Sequence, residues 1–177
     1  EDKSVAGNVH SQYSTKDTTL LFLHRITKQL KDDGRASMIV PNGLLFDEKG
    51  VGRQIKEDLI KNFNLHTIVR LAGTTFSPLS DVDMNVLFFD KTESTSEIYY
   101  YQMSVPERVR GRGKNPKYGK TKPPEFDDFT DVLSWMKDKK DNEKAWAVKV
   151  EDIKEYNLDL KNPNDVEESI DLSPRKL

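Results

Sequence analysis

The side chains best suited to acid–base or metal chemistry are scattered through this sequence. It has three histidines (His10, His24 and His66) and no cysteine. No two histidines have metal-ligand spacing, and no Ser-His-Asp order, Walker loop or His-Glu-x-x-His motif is present. His24 falls inside a predicted helix and His66 opens a predicted strand, so we expect structural roles for both. The residues alone therefore predict no self-contained catalytic site.

One aromatic residue, Phe76, lies in a Gly-x-x-Phe-x-Pro loop that follows a predicted strand. In open α/β sheets, loops at the carboxyl edge gather ligand-binding residues. A flat ring at that edge suits stacking on a base that has been flipped out of a duplex. The alternative is a loop phenylalanine that folds back onto the core, and the residues alone leave both interpretations open.

A basic segment, residues 107–122, contains seven Lys or Arg residues and one Glu. Spaced cations suit contacts with phosphates, which position a nucleic acid without reading its sequence. The alternative is a solvated surface loop, and the net charge of −2 gives no global argument for nucleic-acid binding. The candidate DNA-backbone contacts are Arg108, Arg110, Arg112, Lys114, Lys117, Lys120 and Lys122.

The helices and strands that the sequence predicts around these residues indicate an α/β fold. Apolar periodicity indicates helices at 18–30 and 52–62, and apolar runs indicate strands at 36–40, 65–71, 85–89 and 97–103. The first strand is predicted to be buried, and the Pro41-Asn42-Gly43 turn follows it. Because only a short turn separates the last two strands, we expect them to pair antiparallel. A helix is predicted at 127–137, with Phe129, Val132, Leu133 and Met136 facing inward.

The bulk composition bounds what this chain does alone. With 35% hydrophobic and 33% charged residues, the chain is lean and polar for a self-contained globule. Either part of it is loose, or it buries surface against something else. No apolar run approaches the length of a membrane span, and no signal-peptide pattern opens the chain. We therefore expect a cytoplasmic protein that has no membrane partner.

Five stretches in order resemble the modification subunits of type I restriction systems, a family of adenine-specific DNA methyltransferases. GRASMIVPNGLLF at 34–46 is similar to their GRAxxVxPNGxLF, and LHTIVRL at 65–71 with FSP at 76–78 is similar to LHTIVRLPxGxFxP. NVLFFDK at 85–91 resembles TNVLFFDK, and YGKTKP at 118–123 resembles YxKTKP. Trp146 and YNL at 156–158 match the W…I…YNL ending. The departures are Ala72 in place of proline, Met84 in place of threonine, and an acidic stretch at 80–83.

The resemblance implies transfer of methyl from S-adenosylmethionine to the adenine amino group in double-stranded DNA, with no metal. It implies the C-terminal part of a Rossmann-like sheet, parallel strands closed by antiparallel strands, then a basic loop and a mostly helical extension. Phe76 would stack on the target base, with Pro41, Asn42, Pro78 and Asn85 on substrate-side loops. The donor site and the Asn-Pro-Pro-Phe/Tyr catalytic motif are expected upstream, so this chain holds no catalytic residue and is expected to be inactive alone.

The same resemblance implies a domain plan and partners. Residues 1–104 would be the C-terminal half of the catalytic domain, 105–125 a basic loop, 126–160 a helical extension and 161–177 a docked or disordered tail. The implied partners are a specificity subunit, a restriction subunit and a second copy of the modification subunit. Two alternatives stay open: part of a fused restriction–methylation enzyme, and a non-enzymatic DNA-binding or assembly module that keeps the sheet edge.

Overall fold

The computed structural model describes residues 13–110 and 116–165, and its centre is a five-stranded mixed sheet. The order across the sheet is β1-β3-β2-β4-β5. β2 pairs with β4 in parallel, and the other neighbouring pairs are antiparallel. The strands are β1 (Arg35–Pro41), β2 (Asn64–Arg70), β3 (Met84–Asp90), β4 (Glu97–Gln102) and β5 (Ala145–Lys149).

The helices are α1 (Thr18–Gln29), α2 (Asn42–Phe46), α3 (Gly50–Asn62) and α4 (Thr130–Trp135), with 3-10 turns at Glu107–Val109, Phe126–Phe129 and Val150–Asp152. α1 begins where predicted because the Asp17 carboxylate accepts a hydrogen bond from the Thr19 N–H at 2.8 Å, which caps the first turn. α1 and α3 confirm the two helices expected from apolar periodicity. In the part of the chain that the structure describes, no helix has the length and apolarity of a membrane span.

Side chains of the central strands alternate between two apolar clusters, one on each face of the sheet. Leu87, Phe89, Ile98 and Tyr100 join the cluster that α1 and α3 cover. The other cluster contains Tyr101 and is closed by residues that follow β4, including those of α4. Strands that are buried on both faces carry near-continuous apolar runs. The central strands could therefore be predicted from such runs, without an alternating apolar and polar pattern.

The first strand is not buried as predicted. Among the described residues β1 pairs only with β3, so it forms an edge of the sheet. Its residues alternate, with Arg35, Ser37 and Ile39 exposed and Val40 fully buried. Ile39 keeps 49% of its surface accessible. β1 therefore has a free hydrogen-bonding edge in the part of the chain that the structure describes.

The predicted antiparallel pairing of the strands now called β3 and β4 is wrong. β3 lies between β1 and β2 and pairs antiparallel with both, whereas β4 pairs in parallel with β2. The short turn between β3 and β4 therefore carries the chain past β2 instead of closing a hairpin. Both faces of β3 are apolar because both are covered: Leu87 and Phe89 belong to one cluster, and Val86 and Phe88 pack against the other.

The extension after residue 126 is not mostly helical. The helix predicted at 127–137 is a 3-10 turn followed by the six residues of α4, and Leu133 is 43% exposed instead of inward-facing. A strand that was not predicted, β5, then pairs with β4 and extends the sheet. Trp146 of β5 stacks on Tyr100 with ring centroids 5.2 Å apart, so this part of the extension is integral to the core.

Candidate functional site at the carboxyl edge of the sheet

The carboxyl ends of three strands and the amino ends of the other two, β3 and β5, meet at one edge of the sheet. β1, β2 and β4 run in the same direction and end there, and β3 begins there because it runs the other way. A cleft of about 240 Å³ opens at this edge. Its lining is mostly polar and consists of Asn42, Arg70, Leu71, Gly73, Asp83, Met84, Asn85, Gln102 and Met103.

The two asparagines predicted to face substrate are joined in this cleft. Asn85 is 2% exposed, and its Nδ2 donates to Asn42 Oδ1 at 3.0 Å. The Asn42 N–H donates to the carbonyl of Asp83 at 2.8 Å, which fixes the start of α2 against the start of β3. Pro41 ends β1 opposite Met84. Three of the predicted substrate-side residues are therefore brought together by the pairing of β1 with β3.

The loop that carries Phe76, residues 72–83, connects β2 to β3 above this edge. Its ends contribute to the cleft through Gly73 and Asp83. The Phe76 side chain is partly exposed and belongs to neither apolar cluster. The Phe76 carbonyl accepts hydrogen bonds from the amides of Leu79 and Ser80, at 2.8 and 3.0 Å. The loop is thus ordered by its own turns, and it presents Pro78 and Leu79 to solvent.

Arg70, which the sequence reasoning did not single out, is the cationic group of the cleft. Its Nη2 donates to the Asp159 carboxylate, and its buried Nε has no partner among the described residues. The signal available in the sequence was a single arginine at the end of an apolar strand. Its partner lies 89 residues away, so no local pattern could have revealed the pair.

Residues 156–159, near the C-terminal end of the described residues, pack against the sheet and α2 next to this cleft. The Leu158 N–H donates to the Leu45 carbonyl at 2.9 Å, and the Leu158 carbonyl accepts from the Tyr100 hydroxyl at 3.2 Å. Tyr156 donates through its hydroxyl to Glu57 at 3.1 Å. We call residues 156–159 the strap. It ties the last turn of α2, and with it the start of the cleft, to the core.

Lys56 is a buried cation beneath α2, and it secures the same carbonyl as the strap. Its side chain is 1% exposed, and its Nζ donates to the Leu45 carbonyl at 2.7 Å. Burial lowers the pKa of Lys56 from 10.5 to about 8, and the nearby carboxylates of Asp47, Glu48 and Asp159 oppose this change. The folded chain therefore loses the Lys56 proton at a lower pH than the unfolded chain does.

This pKa difference predicts a pH dependence of stability. Between pH 8 and pH 10.5 the unfolded chain binds more protons at Lys56 than the folded chain, so this residue makes folding more favourable as pH rises. Relative to Lys56→Met, the free energy of unfolding of the wild type should rise by about 3 kcal/mol across this interval. Urea unfolding at a series of pH values measures the difference. Parallel curves for the two proteins would refute it, and Lys137→Met, at an exposed position, serves as the control.

The basic segment is partly engaged in internal contacts. Arg108 hydrogen-bonds to Asp128 and Glu125, and Arg110 pairs with Glu107. Lys122 Nζ donates to the carbonyl of Arg110 at 3.2 Å. These contacts use three of the predicted DNA-backbone residues to hold the segment together.

Lys117 and Lys120 are exposed and have no ion-pair partner in the part of the chain that the structure describes. Among the described basic residues of this segment, these two are the exposed ones without an internal ion pair or side-chain hydrogen bond. Arg112 and Lys114 lie outside the described residues.

A second cleft, of about 260 Å³, shares Met103 with the first. Asp127, Asp128 and Asp131 line it together with Lys144. The Arg108 hydrogen bond holds the pKa of Asp128 at about 2, so this carboxyl is ionised near neutral pH. A concentration of carboxylates repels phosphate, and this cleft is therefore a poor candidate for a DNA contact.

The histidines have the structural surroundings expected of them. His24 is buried, and its ring makes an edge contact with Tyr13 at 4.8 Å between centroids. Burial lowers the pKa of His24 and of His66. His66 lies at the start of β2, with Lys139 Nζ 3.0 Å from its Nδ1, at the edge of the sheet opposite to the cleft. His10 lies outside the described residues.

Comparison with known proteins identifies the family. The model of the family described as N-6 DNA Methylase matches residues 2–171. The type I restriction enzyme EcoEI methylase subunit of Escherichia coli is 37% identical over 172 residues, which are 92% of this chain and 34% of that protein.

Solved structures agree. A modification subunit of a putative type I restriction enzyme from Vibrio vulnificus superposes with a TM-score of 0.80 at 42% identity, covering 93% of this chain and 36% of that one. A structure described as concerning complex assembly and conformational transition of the type I R-M system gives a TM-score of 0.75 at 34% identity, covering 90% and 35%. The chain thus spans about a third of the length of these relatives.

Proposed function

The chain belongs to the N-6 DNA methylase family, and from this premise we propose that it is the C-terminal part of a type I modification subunit. The intact protein then transfers methyl from S-adenosylmethionine to the exocyclic amino group of adenine in double-stranded DNA. The proposal rests on the polar cleft of Asn42 and Asn85, which opens at the end of the sheet where β1, β2 and β4 end. A sheet completed beside β1 would bring further groups next to the cleft.

The open surface beside β1 supports a covering segment from the rest of the subunit. Ile39 of β1 is 49% exposed, and β1 has an unpaired side among the described residues. The sequence contains neither an Asn-Pro-Pro-Phe/Tyr motif nor a glycine-rich donor loop. Because the chain spans about a third of its relatives, we assign both features to the other two thirds. The chain alone should therefore neither bind the donor nor methylate DNA.

The cleft carries charges of both signs: the Arg70 guanidinium, which is paired with Asp159, and the Asp83 carboxylate. Amide side chains such as those of Asn42 and Asn85 match the donor and acceptor atoms on an adenine edge. We therefore assign this cleft and the loop above it to the target base, with Phe76 as the stacking ring.

Partners follow from the same assignment. In this proposal a separate specificity subunit reads the target sequence, and a restriction subunit and a second modification subunit complete the assembly. The support is the similarity to the chain in the structure that concerns assembly of the type I R-M system, which covers 90% of this chain. The basic residues of this chain then position DNA without reading its sequence.

A salt titration tests the DNA-backbone role of the basic segment. Replacing Lys117 and Lys120 by Gln in the intact complex removes two phosphate contacts, so DNA binding should weaken for all sequences alike. The slope of log K against log salt should fall in magnitude by about 2. Lys137→Gln with Lys154→Gln, at exposed positions outside this segment, is the matched control. An unchanged slope in the first variant would show that Lys117 and Lys120 are only solvated surface residues.

A further inference from the structure

The basic segment and the loop of Phe76 are joined by one hydrogen bond between distant parts of the chain. The Tyr118 N–H donates to Thr74 Oγ1 at 3.0 Å, across 44 residues of sequence. Thr74 belongs to the loop 72–83, and Tyr118 lies between Lys117 and Lys120. The contact therefore links the two exposed lysines directly to the loop that carries the candidate stacking ring.

On one side of this link, Tyr118 is held rigidly. It is 4% exposed and packs into the apolar cluster that also contains Ala72, at the start of the Phe76 loop. Its hydroxyl donates to Asp128 at 3.0 Å, and Asp128 also accepts hydrogen bonds from Arg108. A side chain with a buried ring and a partnered hydroxyl has little freedom, so the backbone beside it is fixed as well.

On the other side, Thr74 sets the direction of Phe76. Thr74 has φ of +66°, a left-handed conformation that β-branched residues rarely adopt. Its carbonyl accepts from the Ser77 N–H at 2.9 Å, which closes a turn with Phe76 in its centre. A conformation of this kind persists only where its surroundings hold it in place, and the hydrogen bond from Tyr118 is one such restraint.

We propose that Thr74 and Tyr118 are positioning residues, through which DNA phosphates held by Lys117 and Lys120 set Phe76 against the target base. This inference rests on the proposed function. Phosphate binding fixes where the backbone lies, and the link then fixes how far the stacking ring reaches beyond it. Neither Thr74 nor Tyr118 contacts the reacting atoms in this scheme.

The link can be checked in the chain itself. Thr74→Ala removes the acceptor, and Thr74→Ser keeps it. Hydrogen exchange of the Tyr118 amide should become at least 10-fold faster in Thr74→Ala and change little in Thr74→Ser. Thr92→Ala, which removes an exposed threonine hydroxyl near the opposite edge, is the matched control. Equal exchange in the Ala and Ser variants would overturn the link.

Kinetics of the intact enzyme test its role. Thr74→Ala should lower kcat about 10-fold, since small displacements of a positioned group have effects of this size, while the Kd for DNA changes less than 2-fold. Because the lysines act through the link, Lys117→Gln with Lys120→Gln should lower kcat by a smaller factor in the Thr74→Ala background than in the wild type. Multiplicative effects of the two changes, or rescue failing in Thr74→Ser, would overturn the proposal.

The outcomes separate this inference from the function on which it rests. If the wild-type complex does not methylate adenine, the proposed function fails and the inference fails with it, whatever the amide exchange shows. If the wild type methylates and Thr74→Ala does so at the same rate, the function stands and the inference alone is overturned.

Discussion

Replacing Phe76 by alanine in the intact enzyme is expected to lower kcat/KM for methyl transfer about 10- to 100-fold. Removing an aromatic face from a base costs about 1–3 kcal/mol, and this loss would appear in the complex that holds the flipped adenine. The structure leaves the Phe76 ring partly exposed, outside both apolar clusters, so the same change should have little effect on folding. A loss of activity without a loss of stability is therefore the expected signature.

Two comparisons make the Phe76 result specific. Phe76→Trp keeps a flat ring and should retain most activity, whereas Phe76→Leu keeps an apolar side chain and should not. Phe126→Ala removes another exposed phenylalanine, 76% accessible, and should leave the rate unchanged. Fluorescence of 2-aminopurine at the target position reports whether the base is held. Full activity of Phe76→Ala would remove this ring from the site.

Leu158→Ala is expected to lower the free energy of unfolding of the chain by about 3 kcal/mol. Leu158 is fully buried in the cluster beneath α1 and α3, so its truncation leaves a cavity. Both of its backbone groups are bonded, one to Leu45 and one to Tyr100. The strap is therefore part of the fold, although it comes after the last strand.

Chemical unfolding measures this loss, and Leu133→Ala supplies the control. Leu133 is 43% exposed on α4, so its truncation should change the free energy of unfolding by less than about 1 kcal/mol. If Leu158→Ala were as mild as Leu133→Ala, the strap would be a loosely docked tail. In the intact enzyme the same variant should also disturb the cleft, because Leu45 lies in α2, which begins with Asn42.

The elements that the sequence predicts well are those whose signal is local. α1 has an N-cap at Asp17 and buried residues at Leu20 and Leu23, three positions apart, so periodicity and capping agree. β2 and β3 appear as apolar runs because both faces of the sheet are covered. Asn42 and Asn85 were expected on substrate-side loops only from the family resemblance, and the hydrogen bond between them is visible only in the folded chain.

The strand order was not predictable from the same signals. β3 pairs with β1 and β2 from two directions, and such pairing depends on contacts between residues far apart in sequence. A short connection to β4 favours a hairpin, yet the place beside β2 is the one that buries Tyr100 and Tyr101 on opposite faces.

β5 and the contacts of the site were missed for a related reason. β5 has five residues between charged segments, and its stabilising partner, the ring of Tyr100, lies in another strand. The pairs Arg70–Asp159 and Tyr118–Thr74 join residues 89 and 44 positions apart. Only the folded chain brings such residues together. A single sequence therefore shows which residue types are present but does not show which of them contact each other.

The central claim, that this chain is part of an adenine methyltransferase, is tested most directly by the product. A full-length subunit containing this sequence, assembled with its specificity subunit, is incubated with duplex DNA and S-adenosylmethionine carrying a labelled methyl group. We expect label in N6-methyladenine when the nucleosides are separated, and no label when residues 1–177 are used alone. Label in a cytosine product, no transfer by the assembled enzyme, or transfer by the isolated chain would contradict it.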